Sequence, residues 1–590
     1  MPCVIRQIHS VSLAVLTTGM LCTSPCGGPE GRVSERRPPV LAGLFRELQR
    51  PEGPPHDLCR GSLGCGSQSN LVVEQGVSRV ARSTEGMVVS ASPFATDVGT
   101  AILAAGGNAV DAAVGTAFAL SVVEPTMSGL GGRTQMLIHT AEGEFVGLDG
   151  GTEVPRATPP DLAIREGEGG YRAIGIPGTV AVLATALERF GRMTLPSVLS
   201  HVLPLAEAGF PLSASEAARI AEVADELHQL SGSREHFFGP DGNALGAGET
   251  LRQPALGRIL RAIADGGPEV FYRGWIAESI ATDMSANGGF LTAEDLATYE
   301  VIESMVVRGR YRMHDVIGTY LPASGATTIE ALQILERLDP APVVGSAPWV
   351  QNVAHALLAS FEDRVADLGP PEQHAAVIVS AEWADRRADE IRAHRGEPPE
   401  PVPADSESPF TTHLSVVDAA GGAVALTQSV GPNMGSKVVT EGLGFVYAAT
   451  MGYLGARQPG DRPFSSQSPI MILDDGDLIL VLGASGARRI ISSLVSTVSR
   501  VVDGGVELTE AVMAPRFHPS GPNLYVESRT EIPWSTGVVA ELSRTEFDVV
   551  ERSEADYFAA IHGIVIDPTS RVAVGVAEPR RDGSARGIVR

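Results

Sequence analysis

Thr411-Thr412-His413-Leu414-Ser415-Val416-Val417-Asp418 opens with two threonines, runs on through β-branched and apolar residues, and directly follows the Pro-containing stretch 401–410. Its natural partner is Ala423 to Ser429, and Asp418-Ala419-Ala420-Gly421-Gly422 between them has the composition of a turn. A fold-back centred on Ala420 sets Thr411 opposite Ser429 with both side chains on one face, so a threonine hydroxyl gains a hydroxyl neighbour. Such a hydroxyl is a weak nucleophile unless a base is adjacent. The free α-amino group of an N-terminal threonine, with a pKa of about 8, is a suitable base near neutrality. A cut before Thr411 therefore makes one residue both nucleophile and base. In isolation a Thr-Thr pair reads as the solvent-facing start of a strand, and only the rest of the chain decides between the two readings.

Further segments stand in order along the chain. They include Gly106-Gly107-Asn108-Ala109-Val110-Asp111-Ala112-Ala113, Val122-Val123-Glu124-Pro125 with Ser128-Gly129-Leu130-Gly131-Gly132, and Gly175-Ile176-Pro177-Gly178-Thr179. Phe271-Tyr272-Arg273-Gly274, Gly289-Phe290-Leu291-Thr292 with Asp295-Leu296, Arg462-Pro463-Phe464-Ser465-Ser466 and Ala514-Pro515-Arg516-Phe517-His518 follow. Each is weak alone. In this order, with the Thr411 hairpin, they resemble the γ-glutamyltransferase (glutathione hydrolase) family, N-terminal-nucleophile hydrolases made as precursors that cut themselves before a threonine. The resemblance implies an α+β fold, a four-layer α-β-β-α sandwich autoprocessed into a large subunit, 71–410, and a small catalytic subunit, 411–590. Both pieces then share two stacked antiparallel sheets. The residues themselves read as helical over Ala95 to Leu120 and Thr179 to Phe190, and as strands over Ile470 to Leu482 and within Phe547 to Val576.

Composition narrows the chemistry. With 590 residues and 43% hydrophobic content the chain can bury one large core or two ordinary ones. A formal charge of -25 repels phosphates, which argues against nucleic acid or an anionic membrane as partner. Lys437 is the only lysine and lies outside any Gly-rich phosphate loop, which excludes a P-loop enzyme and disfavours Schiff-base chemistry. All five cysteines (Cys3, Cys22, Cys26, Cys59 and Cys65) precede residue 66, so the remaining chain has no thiol nucleophile, thiolate site or disulfide. No His-Glu-x-x-His sequence occurs, and we expect neither metal nor cofactor. Residues 1–70 form a separate leader-like, low-complexity stretch: Arg6, an apolar run from Val11 to Leu21, then Pro-, Gly-, Ser- and Arg-rich sequence. The run is too short to span a bilayer and fits a secretory signal, which makes the expected location periplasmic or secreted, and otherwise cytoplasmic.

The resemblance also implies roles. Thr411 attacks its own preceding carbonyl at Phe410 and later the substrate amide. Ser429 supplies the hydroxyl bonded to the nucleophile, where the family has a threonine. Gly486 and Ala487, within Gly483-Ala484-Ser485-Gly486-Ala487-Arg488, offer backbone N–H groups to the oxyanion, and the methyl of Ala487 is tolerated there if its φ is negative. Ser465 and Ser466 bind the substrate α-carboxylate. Other recognition positions depart from the family. Gly151, in Leu148-Asp149-Gly150-Gly151-Thr152, replaces the carboxylate-binding arginine. Val446-Tyr447-Ala448-Ala449-Thr450-Met451 replaces the acidic segment that holds the α-amino group, and Gly431 replaces a substrate-contacting asparagine. Arg133 interrupts the family's glycine run and can reach an anionic group bidentately. Three functions follow: an amidase for glutathione-like γ-glutamyl amides with transfer to water or an amino acid, an amide hydrolase for another acyl group such as a dicarboxylic monoamide, or an uncut, inactive binding homologue.

Overall fold

In the computed structural model of the protein, residues 78–589 are described, apart from 166, 339–342, 401–409, 454, 456–457 and 530. The leader-like segment and all five cysteines lie outside the described residues. Strands Thr412–Asp418 and Ala423–Ser429 pair antiparallel in the register that a turn centred on Ala420 requires, Thr412 against Gln428 and Val417 against Ala423.

This hairpin lies in the middle of a seven-stranded sheet, in the order Ser584–Gly587, Gly86–Ser90, Thr412–Asp418, Ala423–Ser429, Arg133–His139, Phe145–Gly150 and Ile302–Ser304. A second seven-stranded sheet runs Val80–Ser83, Ala573–Val576, Ala560–Ile566, Asp477–Ser485, Ile470–Asp474, His314–Thr319 and Val306–Tyr311. Every pairing in the two sheets is antiparallel. Both sheets combine strands from before and after Thr411, so the helix-rich first part and the strand-rich last part are not separate domains.

The alternation of side chains along the strands builds the layers. Leu414, Val416, Val424 and Leu426 pack outward against helices Ala109–Val123 and Thr179–Phe190. Val417, Ala423 and Ala425 point the other way, into a seam with Met471, Val481 and Ile564 of the second sheet. The far face of that sheet, including Ile470, Leu480 and Leu482, buries helices Gly325–Leu338, Ala347–Asp363 and Arg489–Val502. The result is the expected α-β-β-α stack.

The continuous helical pattern over Ala95 to Leu120 is instead two helices, Pro93–Ala104 and Ala109–Val123. Gly106 takes φ +96°, a value costly for other residues, and stops the first. Asn108 then caps the second, its side chain accepting from the N–H groups of Val110 and Asp111 while Asp111 accepts from the Asn108 N–H.

Candidate active site

Odd-numbered residues of Thr412–Asp418 and of its partner face the second sheet, and Thr411 continues that side. The inward row is polar close to Thr411. His413 Nδ1 lies 2.7 Å from Thr427 Oγ1 and its Nε2 3.2 Å from Ser415 Oγ. The imidazole lies flat on Gly483 of the other sheet, where a β-carbon would come within 2.1 Å of the ring. Burial, and next the neighbouring His562, push the His413 pKa well below the usual imidazole range, so it is a neutral spacer that fixes the strand beside Thr411.

Thr411 is buried, with 7% of its surface exposed, and its Oγ1 lies 3.2 Å from Ser429 Oγ and 2.8 Å from the Phe410 carbonyl oxygen. Ser429 Oγ donates to the same carbonyl at 2.8 Å and accepts from the Gly431 N–H at 2.9 Å. The arrangement brings two hydroxyls and a carbonyl that accepts from both together at the head of one hairpin.

The second sheet brings the Gly483–Arg488 loop to the same place. Thr411, Ser429, Arg133, Ser465, Ser466, Ala487 and Arg488 line one cleft. Gly486, one residue before Ala487, packs on the backbone of Ala559 and is not among the lining residues. Ala487 has φ +55°, which overturns the condition under which its methyl was expected to be tolerated. A non-glycine residue held left-handed costs about 1–2 kcal/mol, and the surrounding loop imposes it here. Behind the loop lies a buried ion cluster. Arg516, from the Ala514–His518 segment, bonds both the Ala559 carbonyl and Glu578, and Glu578 also takes Arg580 at 2.9 Å and the Ile561 N–H at 3.0 Å. Burial alone would raise the Glu578 pKa, but Arg516 and Arg580 hold it down to about 2.

The recognition wall explains the departures in sequence. At Gly151 a β-carbon would meet Asp149 Oδ1 at 2.8 Å and Arg462 Cδ at 3.3 Å. Arg462 is spent on Asp149 and Glu153, at 2.9 and 2.5 Å, and does not replace the missing clamp. Val446–Met451 is buried, with Ala448 N bonded to Gly131 and Thr450 Oγ1 to Thr152. At Gly431 the Tyr453 hydroxyl stands 3.2 Å from where a β-carbon would sit, so Tyr453 takes the room a larger side chain needs. Arg133, opposite Ser429 on the adjacent strand, lies over the Tyr453 ring at 4.8 Å and donates to the Phe464 carbonyl at 3.3 Å. Arg364 donates to the Ser465 carbonyl at 2.9 Å, which fixes the Phe464–Ser466 segment from the other side. Ser465 Oγ is tied to Gln467 Oε1 at 3.0 Å. Sequence reasoning missed Arg364, Tyr453, Phe361 and Arg488. Only Arg488, directly after the Gly-rich loop, had a local signal.

On the outward side, Thr412 Oγ1 donates to Glu124 Oε2 at 2.7 Å, in a buried group with Glu216 and Arg219. Burial and then the Glu216 charge push the Glu124 pKa up to about 7, against the Thr412 hydroxyl and Arg219. The folded state then keeps a proton that the unfolded chain loses near 4.5, so its stabilising effect is full below that pH and is lost as pH rises through about 7. Glu124→Gln keeps the acceptor for Thr412 without the charge. Its melting temperature relative to wild type should improve between pH 5 and pH 8, by an amount worth on the order of 2 kcal/mol. A difference that stays constant across that range would show that Glu124 titrates as an ordinary carboxyl.

Among the described residues no group of three or more His, Cys, Asp or Glu side chains is placed to hold a metal ion, and no helix is long and apolar enough to cross a membrane.

Two stacked antiparallel sheets between helix layers, with a threonine heading an inner strand beside a second hydroxyl, define the N-terminal-nucleophile hydrolase class. Residues 95–588 match the gamma-glutamyltranspeptidase family, and the chain belongs to it as an enzyme of that family. The glutathione hydrolase proenzyme of Escherichia coli (strain K12) is 34% identical over 480 residues, which cover 76% of this chain and 83% of that protein. The acylase ACY 1 proenzyme of Pseudomonas sp. (strain V22) is 33% identical over 473 residues, 76% of this chain and 85% of that one. Among solved structures, the cephalosporin acylase of Bacillus halodurans superposes with a TM-score of 0.79 at 25% identity, covering 90% of this chain and 99% of the acylase.

Proposed function

We propose that this protein is a precursor that cuts itself between Phe410 and Thr411, and then acts through Thr411 as an amidase on γ-glutamyl amides of the glutathione kind, passing the acyl group to water or an amino acid. The observation that carries this reading is the placing of Thr411 Oγ1 and Ser429 Oγ at 2.8 Å from one carbonyl oxygen, that of Phe410. Ser429 polarises that carbonyl, and Thr411 Oγ1 adds to its carbon. The Oγ1 proton passes to the Thr411 nitrogen as the C–N bond breaks, an ester forms on Oγ1, and water releases the Phe410 carboxylate. Large (71–410) and small (411–590) pieces remain interleaved in both sheets. The freed α-amine, with a pKa of about 8, takes the Oγ1 proton when Thr411 attacks substrate and returns it to the leaving nitrogen. N–H groups of the Gly486-Ala487 loop hold the oxyanion, and water or an amine resolves the acyl-enzyme. The proenzyme names of the relatives support self-cutting.

One observation favours a second acyl group. Among the described residues the cleft is lined by three arginines, Arg133, Arg364 and Arg488, and by no Asp or Glu, so its charge suits a carboxylate better than an ammonium group. That suits a dicarboxylic monoamide as well as a γ-glutamyl amide. Release from γ-glutamyl-p-nitroanilide, glutaryl-p-nitroanilide and oxamate decides between them: preference for the first upholds the γ-glutamyl reading, and preference for either of the others moves the function to the second. Under both readings Arg133 takes the acyl-side carboxylate with Ser465 and Ser466. Arg133→Ala should lower kcat/KM on the preferred substrate about 10- to 100-fold, mainly through KM, as loss of a charge-assisted hydrogen bond does. Unchanged kcat/KM would remove Arg133 from recognition.

A further inference from the structure

Ser465 sits on a segment held from both sides. Its N–H donates to the Pro322 carbonyl at 2.8 Å, and its own carbonyl accepts from Ser324 Oγ at 2.8 Å and from Arg364 at 2.9 Å. Two residues on, the Gln467 carbonyl accepts from the Ser324 N–H at 2.9 Å. Ser465 and Gln467 both line the cleft and are almost wholly buried, with 3% and 2% of their surface exposed.

The side chain of Gln467 bridges Ser465 and the first sheet. Its Nε2 donates at 2.9 Å to the carbonyl of Thr427, two residues before Ser429, and this fixes which way the amide faces, because only an N–H bonds a carbonyl oxygen. Oε1 therefore turns to Ser465, whose hydroxyl gives it a proton at 3.0 Å. The same hydroxyl accepts from the Gln467 backbone N–H at 3.2 Å. A serine hydroxyl has one proton and two lone pairs, so Ser465 keeps a single lone pair for a ligand. Turning the proton toward a ligand instead would strand the buried Oε1, for which no second donor is in reach among the described residues.

We propose that Gln467 is a positioning residue that sets acyl specificity: it holds the Ser465 proton, makes Ser465 an acceptor, and so selects an acyl group that presents an N–H to Ser465 beside its carboxylate. The inference rests on the γ-glutamyl reading above and narrows it at one residue. Ser465 stays beside the carboxylate as an acceptor, and donation to that carboxylate falls to Arg133 and Ser466. The α-ammonium of a γ-glutamyl group supplies the N–H, whereas a glutaryl group, identical but for that amine, does not. A neutral hydroxyl thus stands in for the acidic partner that Val446 to Met451 lacks.

The test uses the mature full-length protein and the ratio of kcat/KM for γ-glutamyl-p-nitroanilide to that for glutaryl-p-nitroanilide. Wild type should favour the γ-glutamyl substrate about 10-fold. Gln467→Met frees the Ser465 proton for a carboxylate, so glutaryl cleavage should rise about 10-fold, mainly through KM, and the ratio should fall near one. γ-Glutamyl cleavage gains less, because its amine already uses Ser465. Added to Ser465→Ala, Gln467→Met should leave the ratio of the single Ser465→Ala variant where it is, which a merely structural role for Gln467 does not require. The presence of two fragments shows that a variant has folded and matured, and should Gln467→Met stay uncut, Gln467→Leu carries the same expectation. A ratio equal in wild type and Gln467→Met, or one that still moves without the Ser465 hydroxyl, overturns this inference and leaves the γ-glutamyl reading standing. A wild type that prefers the glutaryl substrate overturns both. Cleavage of neither anilide by a protein that does mature overturns the amidase reading as well.

Discussion

Thr411→Ala emerges as one uncut chain, while the wild type separates into two fragments whose break lies between Phe410 and Thr411; this is the largest effect expected of any single substitution. Amidase activity falls with it, by about 10^4-fold or more, because a missing nucleophile leaves only binding and the oxyanion loop. No nearby group can take over. Thr412 points to the other side of the strand, where its hydroxyl is bonded to Glu124 at 2.7 Å. Ser429 starts from the adjacent strand, and its hydroxyl, which also accepts from the Gly431 N–H, keeps the place of a second hydroxyl beside the nucleophile. Lys437 pairs with Glu226 at 3.4 Å, and no cysteine follows residue 65. Thr411→Ser, which keeps the hydroxyl, should still cut. Intact mass reads all three proteins without assuming a substrate. A mutant cut at the same bond would remove Thr411 from the mechanism, and a wild type left whole would move the protein to the inactive-binder reading.

The parts of this machine that are local in sequence were legible there. The hairpin register follows from one turn and a period of two, and it alone places Thr411 beside Ser429. Helix Thr179–Phe190 was visible from its apolar periodicity, whereas the same periodicity hid the break at Gly106 and Asn108, because a cap and a turn interrupt the chain without interrupting the apolar pattern. What was not legible is set by residues distant in sequence. The left-handed Ala487 follows from how Gly486 meets Ala559, a packing relation across some 70 residues that composition does not encode. The loss of a larger residue at Gly431 makes sense only once Tyr453 is seen filling its space and Arg133 lying over Tyr453. Arg364 comes from the end of a helix whose pattern is that of any buried helix. Chemistry carried by short motifs could be read early; the shape of the substrate cleft, assembled from both sheets, required the fold.

Gly486→Ala is expected to cost about 10²- to 10³-fold in kcat, with much less change in KM, although Gly486 itself does not line the cleft. Its φ of +141° belongs to a region that only glycine enters readily, and the added β-carbon would stand 2.6 Å from Ala559 Cα and 2.8 Å from its Cβ. Ala559 has little freedom to retreat. Its carbonyl is held by Arg516, its neighbour Ala560 is paired with Ser485, and Ile561 is bonded to Glu578, which the Arg516 and Arg580 guanidiniums fix in place. The loop must therefore give way. Movement of the loop turns the Ala487 N–H from the oxyanion, and loss of one such donor raises the barrier by about 2.7–4 kcal/mol. Self-cutting passes through the same kind of intermediate and should slow as well, so turnover is measured on the fraction that has matured. Ser465, Ser466 and Arg133 stand on other segments, which is why KM is largely spared. A melting temperature close to wild type separates a moved loop from a collapsed fold. If matured Gly486→Ala turns over within about twofold of wild type, the oxyanion is held elsewhere and the strained Ala487 needs another explanation.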